Sequence, residues 1–315
     1  MSAMTSRTFM QAFSLLCLAF AIAALSPSGA AASSTEGTQK KFGTPEEASE
    51  ALIAAAERFD LAALKEILGP DGLDLVVTAD EVQDKNQAAA FAAQAREKMQ
   101  IVRDSKKVAI LSVGAEDWPL AVPIVRDGGK WRFDTKAGRQ EMLHRRIGRN
   151  ELDAIEVCRG YVEAQLEYAS EKHDGMLVNQ YAQRVVSTPG RQDGLAWRAP
   201  DGSWQGPVGE GIARVIAEGY SDRYEPYHGY YFKILKGQGP SAPFGEMDFL
   251  VRGVMIGGFA LVAAPADYAV TGVKTFIVSH DGVVFEKDLG PETLEAFRSM
   301  TRYDPDPTWS PVEAP

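Results

Sequence analysis

The sequence predicts an α+β protein in two units, each with helices first and an antiparallel sheet after them. Three observations carry this reading. Apolar residues recur at helical spacing in FGTPEEASEALIAAAERFD from Phe42 and in NELDAIEVCRGYVEAQLEYAS from Asn150. Short apolar runs bounded by turn residues follow each of them. The length, 315 residues, suits two ordinary domains. The expected organisation is a signal peptide (1–32), a disordered leader (33–41), a small α+β domain (42–147), a second α+β domain (148–304) and a Pro-rich tail (305–315).

At the N-terminus, Arg7 precedes the apolar run FMQAFSLLCLAFAIAAL, and SPSGAAASS follows. This is the pattern of an export signal, with Ala30 and Ala32 at the −3 and −1 positions of a cleavage site before Ser33. A membrane anchor shares the apolar core, but this one ends in Pro27, Ser28 and Gly29 and not in a basic stop. Leu16 precedes Cys17 where lipid attachment calls for a small residue. The later run VMIGGFALVAAPA is too short to span a bilayer and is cut by Gly257, Gly258 and Pro265. The expected location is therefore the periplasm, with no transmembrane segment after signal removal.

In the first unit Thr44 caps a helix, Pro45 opens it and Glu47 completes a capping box. Asp60 caps a second helix that ends at GPDG. A third is expected through QAAAFAAQAREKM, then the strands KVAILSV, LAVPIV and KWRFD, the last two joined by a turn at Asp127-Gly128. The layout is that of a cone-shaped domain, a helical pair on a curved sheet. The basic run Arg139 to Arg149, with His144, Arg145 and Arg146, reads as a solvated helix end or linker. Its functional alternative is a docking site for acidic partners.

The second unit opens with a helix whose Ile155, Cys158, Val162, Leu166 and Ala169 share a face, which makes Cys158 a small core residue. Cys17 leaves with the signal, so the remaining cysteine forms no intrachain disulfide. Further helices are expected around MLVNQYAQRVV (176–186) and VGEGIARVIAEGY (208–220). Strands then follow at YYFKIL, FLVRGVM, GGFALVAAP, VKTFIVS and GVVFEKD. In YYFKIL, Tyr230, Phe232 and Ile234 point one way, and Tyr231, Lys233 and Leu235 the other.

The formal charge of −10, with 33 basic and 43 acidic residues, excludes broad charge-driven binding of nucleic acid. The four histidines, His144, His173, His228 and His280, show no metal-ligand spacing, and neither H-E-x-x-H nor C-x-x-C occurs. No G-x-S-x-G elbow is present. Gly206, Gly209 and Gly211 lack the spacing of a phosphate loop. No catalytic set, metal or cofactor is therefore assigned. The stretch YHGYYFKIL crowds aromatics and a histidine into a strand entrance; Tyr227, His228 and Tyr230, with Trp197 and His280, form the candidate ligand rim. Two readings follow. One is a non-catalytic binding or assembly module that takes an envelope protein or a small ligand. The other is a hydrolase of an envelope polymer, for which His228 or His280 must meet a carboxylate such as Asp222, Glu225, Glu246 or Asp248.

The strings FGTPEEASEALIAAA, YAQRVVSTPGRQDGLAW, YHGYYFKILKGQGP, GGFALVAAPADY and GVKTFIVSHDGVVFEKDLGP together resemble the bacterial family called domain of unknown function 2950. The resemblance runs from about Phe42 to about Asp304; Phe285 stands where tyrosine is expected. It implies an exported protein of Gram-negative bacteria and carries no established activity, so no site residue is transferred. The C-terminal sheet is also similar in outline to pilin-like domains, a likeness of fold alone.

Overall fold

The computed structural model describes residues 39–209 and 226–313. The expected signal peptide and most of the leader lie outside them. So do nearly all of the helix expected over 208–220 and the acids Asp222 and Glu225. The chain divides into two compact units, Met1–His144 and Arg145–Pro315.

In the first unit α1 spans Pro45–Glu57; Thr44 Oγ1 accepts from Glu47 N. The Glu47 carboxylate reaches back to Gly43 N, one residue earlier than in the standard capping box. Helix α2, Leu61–Leu68, is capped by Asp60 and closed by Gly69. Helix α3 is Glu81–Glu97, longer than expected at its start. Its first turns, EVQDKN, carry no apolar stripe, so periodicity misses them. Their signal is capping chemistry: Asp80 accepts from Gln83 N, and buried Asp84 accepts from both Thr78 N and Thr78 Oγ1.

Strands β1 (Met99–Arg103), β2 (Val108–Val113), β4 (Ile124–Asp127) and β5 (Lys130–Phe133) form an antiparallel sheet in that order, with β3 (Trp118–Pro119) beside β2. The β4–β5 loop is a two-residue turn, because Asp127 pairs with Lys130 and both Gly128 (φ 58°) and Gly129 (φ 83°) are left-handed. Leu52, Leu64, Ile67, Ile124, Trp131 and Phe133 make the core between helices and sheet.

Helix α4 runs from Thr135 to Tyr168, and the boundary between the units falls inside it. The basic run Arg139–Arg149 is thus helix interior, which corrects the linker reading; Arg139 pairs with Asp74. In the second unit α4 buries Ala154, Ile155, Cys158, Tyr161, Gln165 and Tyr168, whereas Leu166 is 53 % exposed. The expected stripe was therefore rotated, because the helix buries tyrosines and a glutamine whose polar ends find partners. The segment 176–186 is not helical. Tyr181 N donates to Met255 O, Gln165 pairs with Ala182, and residues Arg184–Val186 form β6.

Strand β6 runs parallel to β7 (Gly194–Arg198), which pairs with β8 (Trp204–Gln205). The main sheet contains β9 (Tyr230–Leu235), β14 (Ala260–Pro265), β15 (Lys274–Ser279), β16 (Val284–Asp288) and β17 (Ser310–Pro311). Its order is β17-β16-β15-β14-β9, antiparallel throughout. Two short ribbons, β10 (Gly237–Gln238) with β11 (Met247–Asp248) and β12 (Leu250–Val251) with β13 (Val254–Met255), lie between β9 and β14 in sequence. Residues expected only as a Pro-rich tail supply edge strand β17 and the buried Trp309. Helix α5, Thr293–Ser299, is met by β9: Tyr231 packs on Phe297, and Lys233 Nζ donates to the carbonyls of Phe297 and Arg298. A cation at the last carbonyls of a helix also complements its dipole.

Cys158 is fully buried, and burial pushes its thiol up to about 12 from 9.0. The thiolate is thus suppressed in the fold. The unfolded chain loses this proton first as pH rises, so the cysteine's contribution to stability falls between pH 9.0 and about 12. We expect Cys158→Ala to cost about 1–3 kcal/mol through the cavity it leaves. Thiol labelling of the native protein should proceed only at the rate of unfolding; fast labelling would show the side chain accessible.

Candidate functional site

Strand β9 is entered through a turn that joins Tyr227 to Tyr230. Each of these two residues donates its N–H to the other's carbonyl at 2.9 Å, and His228 (φ 48°) and Gly229 (φ 77°) are both left-handed. This is the geometry of a type I′ turn, which glycine enters freely and histidine with tolerable strain. Position 229 also excludes a side chain, since a β-carbon would stand 2.6 Å from Asn150 Nδ2 and 2.9 Å from Thr271 Cβ.

One turn of α4 supplies what surrounds it. Asn150 Nδ2 donates to Thr271 O at 2.8 Å. Glu151 Oε1 accepts from Val273 N at 2.9 Å and Lys274 N at 3.0 Å. Asp153 Oδ2 lies 2.6 Å from His228 Nδ1. The His228 ring stacks on that of Tyr227, centroids 4.2 Å apart. Burial raises the Tyr227 phenol above its ordinary value, and the Asp153 carboxylate adds to the rise. The His228 side chain is 49 % exposed and that of Asp153 35 %. The arrangement is an imidazole held at one nitrogen by a carboxylate, on the surface of a pinned turn.

Of the predicted rim residues, only Tyr227 and His228 present themselves together at the surface. Tyr230 is fully buried, and its hydroxyl donates to Lys274 O at 2.8 Å. Burial, then the charge of Glu151, drives its phenol far above the ordinary range. It is a core residue, which corrects its placement on a rim. His280 follows the far end of β15 from Lys274, roughly 20 Å away at strand rise. Its ring meets Phe249 and Phe259 edge-on. Trp197 lies 5.6 Å from the ring of His173, which stacks on Tyr168. Tyr168 ends α4, about 22 Å along the helix from Asp153. His280 and Trp197 therefore both lie away from the turn that carries Tyr227, His228 and Tyr230.

The acids considered for a glycosidase pair, Glu246 and Asp248, both face Arg302, at 3.7 and 2.6 Å. Among the described residues no group of three or more His, Cys, Asp or Glu side chains is placed to hold a metal ion. A shallow depression of about 270 Å³ lies between Ala266, Asp267, Tyr268 and Pro291, Thr293, Leu294. None of the predicted rim residues lines it. Sequence reasoning missed Asn150, Glu151 and Asp153, which lie at the start of a segment read only for its apolar face. Their one visible signal is three hydrogen-bonding side chains in four consecutive residues.

Among the described residues no helix is long and apolar enough to cross a membrane. No curated protein matches the chain, and no solved structure does, so the pilin-like outline of the C-terminal sheet finds no solved counterpart. One family model, described as "Protein of unknown function (DUF2950)", matches residues 39–312. The match takes in both units, from the residues ahead of α1 to just past β17, and the chain belongs to the DUF2950 family.

Proposed function

We propose that this protein is an exported, non-catalytic binding or assembly module of the bacterial envelope. One observation carries the reading. The polar side chains at the candidate site hold backbone in place: Asn150 fixes Thr271, Glu151 fixes Val273 and Lys274, and Asp153 fixes the turn through His228. Such a latch organises a surface and supplies no nucleophile. The signal-like residues 1–32 and the resemblance to a family of exported proteins support the periplasmic location.

The hydrolase reading is favoured by the same pair, because a carboxylate at Nδ1 is how a general base is oriented. The two separate in one experiment. Protein from the periplasmic fraction should begin near Ser33 by mass analysis; a retained residue 1–32 segment would favour a membrane tether. Incubated with peptidoglycan, it should release no soluble product above a blank. His228→Gln should leave the fold intact and cost about 0–1 kcal/mol, as an exposed pair does. If the parent protein does turn over the polymer and the variant loses a hundredfold or more at matched folding, the non-enzyme reading is wrong.

A further inference from the structure

The loop between β10 and β11 carries Phe244, the most exposed large apolar residue of the described chain at 94 %. Its backbone is left-handed, φ 71°, a conformation that disfavours a bulky side chain. Left exposed, a phenylalanine forgoes the gain of removing its apolar ring from water. Phe244 does not join the hydrophobic core among the described residues, and non-glycine residues held in this backbone region concentrate where they serve binding.

The loop is not loose. Gln238, 1 % exposed, directs its side-chain amide at the carbonyls on both sides of the phenylalanine, donating to Pro243 O and to Gly245 O at 2.7 Å. Arg302 Nη1 donates to the carbonyls of Gln238 and Met247, while Nη2 pairs with Glu246 and Asp248. Asp304 Oδ1 accepts from Ser241 N at 2.8 Å, and Gly239 N donates to Tyr303 O at 2.8 Å. A buried amide and a guanidinium thus fix the turn from beneath and hold its aromatic tip outward. An aromatic with few rotamers on a pre-ordered support loses little entropy on docking, which is the character of an interface anchor.

Glu246 and Asp248 follow Phe244 in the chain and Asp304 holds the start of the loop through Ser241 N, three carboxylates against Arg302, which is paired with two of them. That excess of negative charge opposes approach to an anionic membrane and suits a basic counterpart. A second copy offers no match at the depression by Tyr268, whose lining contains Asp267 and no cation. We infer that Phe244 is the anchor by which this chain docks into an apolar pocket, rimmed by Lys or Arg, on a different envelope protein. The inference deepens the binding-module reading and rests on it.

The test places benzoylphenylalanine at position 244 of the full chain in producing cells and at Tyr227 in a parallel strain. Light should give one dominant protein adduct from position 244, mapped to an apolar pocket flanked by basic residues. With that protein purified, Phe244→Ala should weaken binding about 30-fold or more. Added salt should weaken binding of the unmodified chain. Phe244→Gly should keep or raise the Tm, since glycine suits the left-handed backbone. A lipid adduct, a self-adduct, a smear of weak products or a lowered Tm for Phe244→Gly would overturn the inference. A discrete partner captured from position 227 alone would do so while sparing the binding-module reading. Polymer turnover by the parent protein would remove that reading instead.

Discussion

Gly272→Ala is expected to destabilise the second unit by about 3 kcal/mol or more, although it adds a single methyl group. A β-carbon at this position would stand 2.6 Å from Tyr230 Cζ, and closer still to the hydroxyl. Tyr230 has nowhere to retreat: it is fully buried, its ring packs near Phe276, and its hydroxyl is committed to Lys274 O. Relief by backbone shift would move Thr271 and Val273, which Asn150 and Glu151 hold from α4. Overpacking and loss of a buried hydrogen bond, each about 1–3 kcal/mol, therefore act together. Urea unfolding would measure the loss. Gly282→Ala is the control for a methyl group that meets nothing within 4 Å; its loss, confined to a positive φ of 78° that Gly272 does not share, should be the smaller. Tyr230→Phe should partly rescue Gly272→Ala by removing the atom it strikes. Additive losses in that cycle would mean that the two side chains do not meet.

The elements best legible in the sequence were those with local chemistry at their ends. Thr44, Asp60 and the turn residues after Phe59 and Leu68 marked the first two helices, and the Gly-bounded runs marked β9, β14, β15 and β16. What the sequence hid depends on contacts between distant segments. Residues 176–186 have apolar residues at nearly helical intervals, yet Met255 and Gln165 take their backbone groups and keep them extended. Helix α4 passes through a basic stretch with no local sign of continuity. The candidate site was half legible for the same reason. Tyr227 and His228 stand out in YHGYYFKIL, but Asp153 lies 75 residues earlier, and nothing nearby marks it as a partner. Alternation also placed Tyr230 on a wall without saying whether that wall is wet; α4 and β15 make it dry.

Gln165→Leu should be nearly as damaging, and for an opposite cause, because leucine fits the volume and loses the chemistry. Gln165 is fully buried in α4. Its Oε1 accepts from Ala182 N at 2.8 Å, and its Nε2 donates to Ala182 O at 2.8 Å and to Tyr161 Oη at 2.9 Å. The side-chain amide therefore serves Ala182 as a neighbouring strand would. Ala182 is itself fully buried, so leucine would leave an N–H and a C=O there without partner or water. Each such group costs about 1–3 kcal/mol, and the apolar gain of leucine offsets only part; a net loss of roughly 2–4 kcal/mol follows. Hydrogen exchange would locate it, with Ala182 N–H the first buried amide to lose protection. Gln165→Glu gives a test with a sign. The carboxylate keeps an acceptor for Ala182 N but turns a charge toward Ala182 O, and burial raises its pKa above that of the unfolded chain. Its protonated form restores the donor, so this variant alone should gain stability, relative to the parent, as pH falls through that raised value. An unchanged stability difference across acid pH would show that residue 165 does not donate to Ala182, and Gln165→Leu would then be tolerated as an ordinary core exchange.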